Sequence, residues 1–235
     1  MGLPRRLHAL IVALLFALIT VPAGAGAGRA IAAPARHAIP IADARQLPLG
    51  SVVTVEGAVT TPSGAFQSSF FDNGFGLQDG TAGIYVSLQT DPHAAPYQRA
   101  SVTGTLRERD GLLTVVPAAP SDVRLGGPCE PVRPERVRTG EVGEDTEGRL
   151  VTVVATVTQA PVDDLPYGYK VSVDDGSGEL LIFVNVQTGI DVSGLAPGDR
   201  VRVTGFSSQF GAHYEIDPRS PHDIEPARRA GGSAP

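Results

Sequence analysis

The chain has 235 residues and a mass of 24.4 kDa, with 28 glycines, 20 prolines, no tryptophan and a single cysteine, Cys129. One thiol excludes a disulfide-stapled miniprotein and a zinc module built on a cysteine cluster. The net charge of −6 excludes a generally basic protein that coats DNA with its whole surface.

Residues 1–27 have the pattern of a secretory signal peptide. Arg5 and Arg6 precede an apolar run from Leu7 to Val21, and small residues follow the run. The run is short for a membrane span, and no basic stop-transfer cluster follows it, so a cleaved leader is favoured over a membrane anchor. The sequence therefore predicts a secreted or periplasmic protein, with no membrane span in the mature chain.

The rest of the chain contains an internal duplication. Gly50–Thr60 aligns with Gly148–Thr158 at an offset of 98 positions, and Val102–Gly104 aligns with Val203–Gly205 at an offset of 101. A period this long indicates two whole domains rather than a solenoid. The predicted organisation is a flexible lead-in at 28–40, a first domain at 41–125, a linker at 126–135, a second domain at 136–226 and a disordered tail at 227–235.

Apolar and polar residues alternate within each copy, which is typical of half-buried antiparallel strands. The predicted strands of the first copy are Val52–Thr61, Phe75–Gln78, Gly83–Leu88, Ala100–Arg107 and Leu112–Val116. Those of the second copy are Leu150–Ala160, Tyr169–Val173, Leu180–Val184, Arg200–Phe206 and His213–Ile216. Glycines inside the strands, such as Gly57, Gly104 and Gly205, indicate sharp bends. We therefore predict an all-β chain of two tandem five-stranded OB-like Greek-key barrels, with short helices near 43–47 and 138–142.

The residues of both copies resemble known OB-fold domains. Val53–Thr60, Gly76–Val86 and Val102–Gly104 look like the OB-fold domain attached to secreted bacterial nucleases and nucleotidases. The second copy, with Asp174–Gly178 and Arg200–Gly205, is similar to the wider nucleic-acid-binding OB group. Each match covers about one repeat. Proteins of that group usually carry a separate catalytic domain, so the resemblance implies binding rather than catalysis.

An OB barrel binds oligomers across its second and third strands and the loops after strands one and four. Base stacking needs exposed aromatic faces, and contact with the nucleic-acid backbone needs nearby cations. The candidates in the first copy are Phe66, Phe70, Phe71, Phe75, Tyr85, Arg107 and Arg109. The candidates in the second copy are Tyr167, Tyr169 and Phe210. The alternative is that the phenylalanines fill the end of the barrel, since aromatic side chains make up much of any small core.

The two copies differ in net charge. Residues 136–225 hold 7 basic and 15 acidic groups, whereas residues 41–125 hold 5 and 8. Because an acidic barrel repels phosphate, we predict weak binding of single-stranded nucleic acid through the first barrel, helped by the linker arginines Arg133, Arg136 and Arg138. Two alternatives stay open: an extracellular module that binds a protein or a carbohydrate, and an accessory subunit of a separate nuclease.

No catalytic motif is found, so the sequence predicts a non-enzymatic protein without a cofactor or metal. The histidines are scattered and have no metal-ligand spacing. The acidic run Asp174–Glu179 suggests calcium, but its two glycines and short length favour a tight hairpin turn. Cys129 lies in the predicted linker and is interpreted as an inert thiol.

Overall fold

The structure is a computed structural model that describes residues 37–227. The predicted signal peptide, most of the lead-in and nearly all of the tail lie outside the described residues. Within the described range, no helix is both long and apolar enough to cross a membrane.

The first barrel closes through a five-strand cycle. Its strands are β1 (Val52–Val59), β2 (Phe75–Gln78), β3 (Gly83–Val86), β4 (Gln98–Arg109), β5 (Leu112–Val116) and the edge strand β6 (Val123–Pro128). Helix α1 (Ile41–Arg45) precedes the barrel, and helix α2 (Gln67–Phe70) lies in the loop between β1 and β2. The strand order is β1-β2-β3-β5-β4, and β4 pairs back onto β1. The β3–β5 pair is parallel and the others are antiparallel, which is the order of an OB barrel.

The second barrel repeats this cycle. Its strands are β7 (Glu135–Arg136), β8 (Leu150–Val157), β9 (Val162–Asp164), β10 (Gly168–Asp174), β11 (Leu180–Asn185), β12 (Arg200–Phe210), β13 (His213–Asp217) and β14 (Ile224–Pro226). The closed path is β8-β10-β11-β13-β12, with β12 paired back onto β8. Short 3-10 helices lie at Pro120–Asp122, Thr139–Glu141, Val186–Thr188 and Pro221–Asp223.

The predicted all-β fold of two OB-like barrels is therefore confirmed, with differences at the edges. The fourth strand of each copy is longer than predicted, because β4 and β12 both continue into a hairpin with the fifth strand. The predicted linker is shorter, because Gly126–Pro128 pairs with β4 and Glu135–Arg136 pairs with β8. Helix α2 and strand β9 have no counterpart among the predicted elements.

Alternating side chains fill each barrel. Val53, Val55 and Ile84 are among the buried residues of the first core, and Val151, Val153 belong to the second. The mid-strand glycines are needed for close packing rather than for a positive φ. A Cβ at Gly104 would lie 2.6 Å from a methyl carbon of Val115, and one at Gly205 would lie 2.5 Å from the carbonyl oxygen of Asp217. The fifth strand can therefore cross closely over the fourth in both copies.

The two barrels belong to one compact unit and share a third apolar cluster. It contains residues from both barrels: Ala65, Phe66, Phe70, Tyr85, Leu112 and Phe206. Polar bonds surround the cluster. The Arg45 guanidinium is 3.1 Å from carboxylates of Glu144 and Glu147, and the Arg219 guanidinium donates to the Thr60 carbonyl at 2.8 Å. Apolar burial and ion pairing therefore fix the barrels together.

Candidate ligand-binding cleft

Four aromatic side chains predicted to stack on bases are buried. Phe75 lies in the core of the first barrel. Phe66, Phe70 and Tyr85 lie in the cluster between the barrels, where the rings of Phe66 and Tyr85 have their centroids 5.9 and 5.8 Å from that of Phe206. The assignment of these four residues to a ligand surface is thus corrected, because burial removes their ring faces from solvent.

The loop between β1 and β2 is held by a buried carboxylate that the sequence analysis did not single out. Asp72 accepts hydrogen bonds from the Tyr85 hydroxyl at 2.8 Å, the Gly74 amide at 2.9 Å and the Arg109 guanidinium at 3.1 Å. Arg109 is thus paired with a buried structural carboxylate, and 40% of its side chain stays exposed, so its predicted role stays a prediction. Arg107 is exposed and has no ion-pair partner in the described part of the chain, so its predicted role stays a prediction.

The second barrel also contacts the first barrel at the β4–β5 loop, which flanks the ligand face of an OB barrel. The loops between the fourth and fifth strands meet there, with an antiparallel bridge between Gly111 and Phe210. The Gly211 amide donates to the Asp110 carbonyl at 2.6 Å. Both loops that flank the ligand surface of an OB barrel are consequently occupied by contacts with the second barrel.

The corresponding face of the second barrel is open and forms a cleft of about 490 Å³. Strands β10 and β11, the loop before β10 and the β12–β13 hairpin form most of its wall, and helix α2 of the first barrel adds the rest. We call it the junction cleft; it is lined by Ser68, Ser69, Phe71, Asp164, Tyr167, Lys170, Leu181, Phe183, Phe210, His213 and Glu215. Its lining is mainly apolar, as is usual for sites that bind organic ligands.

Three of the predicted aromatic residues lie at this cleft. The exposed fractions are 64% for Phe71, 42% for Tyr167 and 53% for Phe210. The rings of Phe71 and Tyr167 meet edge to face with centroids 5.9 Å apart. Aromatic side chains from both barrels are therefore brought together with exposed ring area. Tyr169 does not join them, because it packs against the core of the second barrel, which corrects its predicted place on the surface.

Phe71 occupies a backbone conformation that a phenylalanine rarely adopts. It caps helix α2 with φ 51° and ψ 32°, in the left-handed region that favours glycine. Its ring is largely exposed, so burial does not compensate for this conformation. An exposed aromatic ring on a strained residue is a feature that clusters at ligand sites.

Hydrogen bonds fix helix α2 against the second barrel. The Asn185 side-chain oxygen accepts from the Ser68 hydroxyl at 2.8 Å and the Ser69 hydroxyl at 2.6 Å. The Asn185 amide group donates to the carboxylate of Asp217 at 3.3 Å. Because these groups are mostly buried, the position of Phe71 is set by a polar network at the end of β11.

The charges of the junction cleft nearly balance. Lys170 pairs with Asp164 at 2.9 Å, and the Glu215 carboxyl lies beside them with only 5% of the residue exposed. Burial raises the pKa of Glu215 to about 7, with Lys170 opposing and Asp164 supporting the change. Burial, together with the charge of Glu215, also raises the pKa of the neighbouring Asp217. The cleft therefore contains one carboxyl group that changes charge near neutral pH.

The acidic run at 174–179 forms a turn. The Asp174 carboxylate accepts from the Gly176 amide at 2.6 Å, and the Asp175 carboxylate accepts from the Ser177 amide at 3.0 Å. The Thr139 hydroxyl donates to Asp175 at 2.9 Å. Backbone and hydroxyl donors thus occupy these oxygens, as the hairpin interpretation requires.

Strand order and cleft position define the class of this protein: it is a tandem OB-fold protein with an aromatic cleft on its second barrel. No protein-family model matches the chain. Endonuclease YhcR of Bacillus subtilis (strain 168) is 28% identical over 202 residues, which cover 82% of this chain and 16% of that protein. The chain thus spans about a sixth of the length of this relative. The resemblance to OB-fold domains of bacterial nucleases is confirmed by this similarity.

Two solved structures are among those to which this chain is similar. Replication protein A, as a heterotrimer bound to single-stranded DNA, is 20% identical with a TM-score of 0.33, over 42% of this chain and 84% of that chain. A murine DNA-binding protein bound with double-stranded DNA is 12% identical with a TM-score of 0.37, over 77% and 99% of the two chains. The OB assignment itself depends on the strand order described above.

Proposed function

We propose that this protein binds single-stranded nucleic acid by stacking bases in the junction cleft. The observation that carries the proposal is the convergence of Phe71, Tyr167 and Phe210, all exposed, on the open ligand face of the second barrel. Aromatic stacking contributes about 1–3 kcal/mol per base and accepts every base, because every base has a π face. The volume of about 490 Å³ suits one or two bases rather than a long segment.

The proposal moves the binding surface from the first barrel to the second. Net acidity of the second barrel opposes phosphate, but stacking does not require a cationic surface. Lys170 is the one lysine or arginine that lines the cleft within residues 37–227. We therefore propose weak binding in which base contacts supply most of the free energy and phosphate contacts supply little.

Binding of a labelled oligothymidylate, followed by fluorescence anisotropy at low salt, tests this function. We expect saturable binding that Phe71→Ala or Phe210→Ala weakens and that Tyr97→Ala does not change. Tyr97 is the matched control, because it is a half-exposed aromatic residue on the first barrel that does not line the cleft. Equal affinities for all four proteins, or no binding at low salt, would contradict the proposal.

We further propose that the protein is exported and acts by binding rather than by cleavage. The leader pattern of residues 1–27 supports export, and similarity to one part of an endonuclease supports a role beside a catalytic chain or domain. Incubating the pure protein with labelled single- and double-stranded DNA and divalent cations should leave both intact. Metal-dependent cleavage would overturn the non-enzymatic part of the proposal.

A carbohydrate is the second candidate ligand. Two carboxyl groups, on Asp164 and Glu215, lie beside aromatic rings in the cleft, and carboxylates accept hydrogen bonds from sugar hydroxyls. Soluble oligosaccharides that displace the oligothymidylate, and whose binding is lost in Phe71→Ala, would favour this candidate.

A further inference from the structure

Glu215 is a buried carboxyl group that faces the junction cleft. It lies on β13, opposite Leu181 of the neighbouring strand β11. The equivalent pair in the first barrel is Thr114 and Tyr85, so the duplication places a threonine where the second copy has glutamate. Glu215 lines the cleft with 5% of its surface exposed, and its carboxylate has no hydrogen-bond partner within residues 37–227.

Within residues 37–227, the elements packed around Glu215 give its carboxylate no hydrogen-bond donor, and Lys170 compensates its charge only in part. Strand β10 supplies Lys170, but the lysine pairs with Asp164 of β9. The walls contributed by β11 and the end of β12 are apolar at the cleft, and β13 itself carries His213 and Asp217. A buried polar group without a partner is costly for folding, and such a group at the floor of a cleft is placed to meet a ligand.

Resting on the stacking function proposed above, we propose that Glu215 reads the hydrogen-bonding edge of the stacked base and selects guanine when it is ionised. A carboxylate is an acceptor with two oxygens. Guanine presents two adjacent N–H donors on its Watson–Crick edge, whereas each of the other bases places an acceptor beside its donor. A base read in this way is held between aromatic faces and recognised at its edge.

Protonation reverses the preference. A neutral carboxyl group carries one donor and one acceptor, which matches the adjacent donor and acceptor of adenine, cytosine or thymine. Because burial raises the pKa of Glu215 to about 7, both forms are present near neutral pH. The cleft therefore changes its base preference across neutrality, from adenine, cytosine or thymine on the acid side to guanine on the basic side.

Oligothymidylates with one central base replaced by guanine, adenine or cytosine test this inference. Binding is measured at about pH 6 and about pH 8, on either side of the pKa of Glu215. We expect the wild-type ratio of guanine to adenine affinity to rise by roughly 5- to 150-fold between these conditions, as for a two-bond contact with a base.

Two variants provide the controls. Glu215→Gln has one donor and one acceptor at every pH, so it should keep the acid-side preference throughout. Glu215→Thr introduces the residue of the first barrel and should lose both the guanine preference and its pH dependence. A pH dependence of base preference that persists in Glu215→Gln would belong to another group and overturn the inference.

The outcomes separate this inference from the function on which it rests. If wild type binds all four oligonucleotides equally at both pH values, and Phe71→Ala weakens the binding, stacking stands and base reading by Glu215 is wrong. If wild type binds none of them, the proposed function itself fails.

Discussion

The two barrels share a strand order, yet their equivalent faces have opposite environments. On the first barrel, Tyr85 and the β1–β2 loop are buried against Phe206 of the second. On the second barrel, the same face is an open cleft, and Phe71 from the first barrel forms part of its wall. The ligand face of the first barrel is thus buried in the contact between the barrels, whereas that of the second barrel is open. The first barrel also contributes the Phe71 ring to the open face.

Substitutions at a few equivalent positions account for much of the difference between the two ligand faces. Tyr85 of the first copy corresponds to Leu181 of the second, and Thr114 corresponds to Glu215. At the offset of 101 positions, Arg109 corresponds to Phe210. The large hydrogen-bonded tyrosine gives the first face an apolar anchor for packing, while Phe210 and Glu215 give the second face an exposed ring and a polar floor.

The largest expected effect is a loss of stability when the Phe206 ring between the two barrels is removed. Phe206 is fully buried between Phe66 and Tyr85, so Phe206→Ala should lower the free energy of unfolding by about 3–5 kcal/mol. Urea unfolding followed by circular dichroism measures it. The matched control is Phe210→Ala on the same strand, whose ring is half exposed and whose stability should stay within about 1 kcal/mol of wild type.

The second barrel has Glu215 where the first has Thr114, and this ionisable group predicts that the stability of the protein depends on pH. The usual pKa of glutamate is near 4.5, and in the folded protein that of Glu215 is about 7. A carboxyl group with a raised pKa stabilises the fold below its unfolded pKa, and this contribution is lost as the pH rises through the folded value. The free energy of unfolding should fall by roughly 1–3 kcal/mol between about pH 5 and about pH 8.

Urea titrations across that range check the pH prediction. Glu215→Gln should make the curve shallower, and the slope that remains belongs to Asp217, whose pKa burial also raises. A curve for Glu215→Gln that matches wild type would show that Glu215 is not the titrating group.

Substitution of Phe71 tests whether the first barrel contributes a stacking ring to the cleft of the second barrel. Phe71→Gly relieves a left-handed backbone and removes only one edge contact, with Tyr167, so the unfolding free energy should stay within about 1 kcal/mol of wild type. Its affinity for oligothymidylate should fall by about 1–3 kcal/mol, as expected for one lost stacking contact. A large loss of stability with unchanged affinity would assign Phe71 to packing instead.

Salt dependence is expected to be the smallest effect. With one lysine at the cleft, the slope of log affinity against log salt should be about −1 or shallower, since each phosphate contact contributes about −0.7 for single strands. Anisotropy titrations over a salt series measure the slope. A much steeper slope would move the site towards the exposed Arg107 and the linker arginines.

The fold could be predicted from the sequence because the barrels are built from local alternation and a long repeat. Val53, Val55 and their counterparts Val151, Val153 point into barrels in both copies, as period two requires. Alternation alone does not show which strands are equivalent. The internal duplication does, because it matches each predicted strand of the first copy to one of the second. Helix α2 was missed because its four residues give no helical period.

The site could be predicted only in part. Phe70 and Phe71 are adjacent in sequence, yet one is buried and one is largely exposed, because helix α2 ends between them and Phe71 takes a left-handed conformation. Counting charge per copy favoured the first barrel, but it carries no information about which face the other barrel covers. Leu181 and Phe183, apolar residues on the outward positions of β11, are the sequence signal that would have indicated an open cleft.

Stacking of bases in the junction cleft can be tested by locating the bound nucleic acid on the chain. Photo-crosslinking of an iodouracil-substituted oligothymidylate, followed by peptide mass spectrometry, reports which side chains contact the bases. Stacking in the junction cleft predicts adducts at Phe71, Tyr167 and Phe210, and their loss when unlabelled oligothymidylate is added in excess. Adducts confined to the first barrel around Arg107, with none at these three residues, would contradict it.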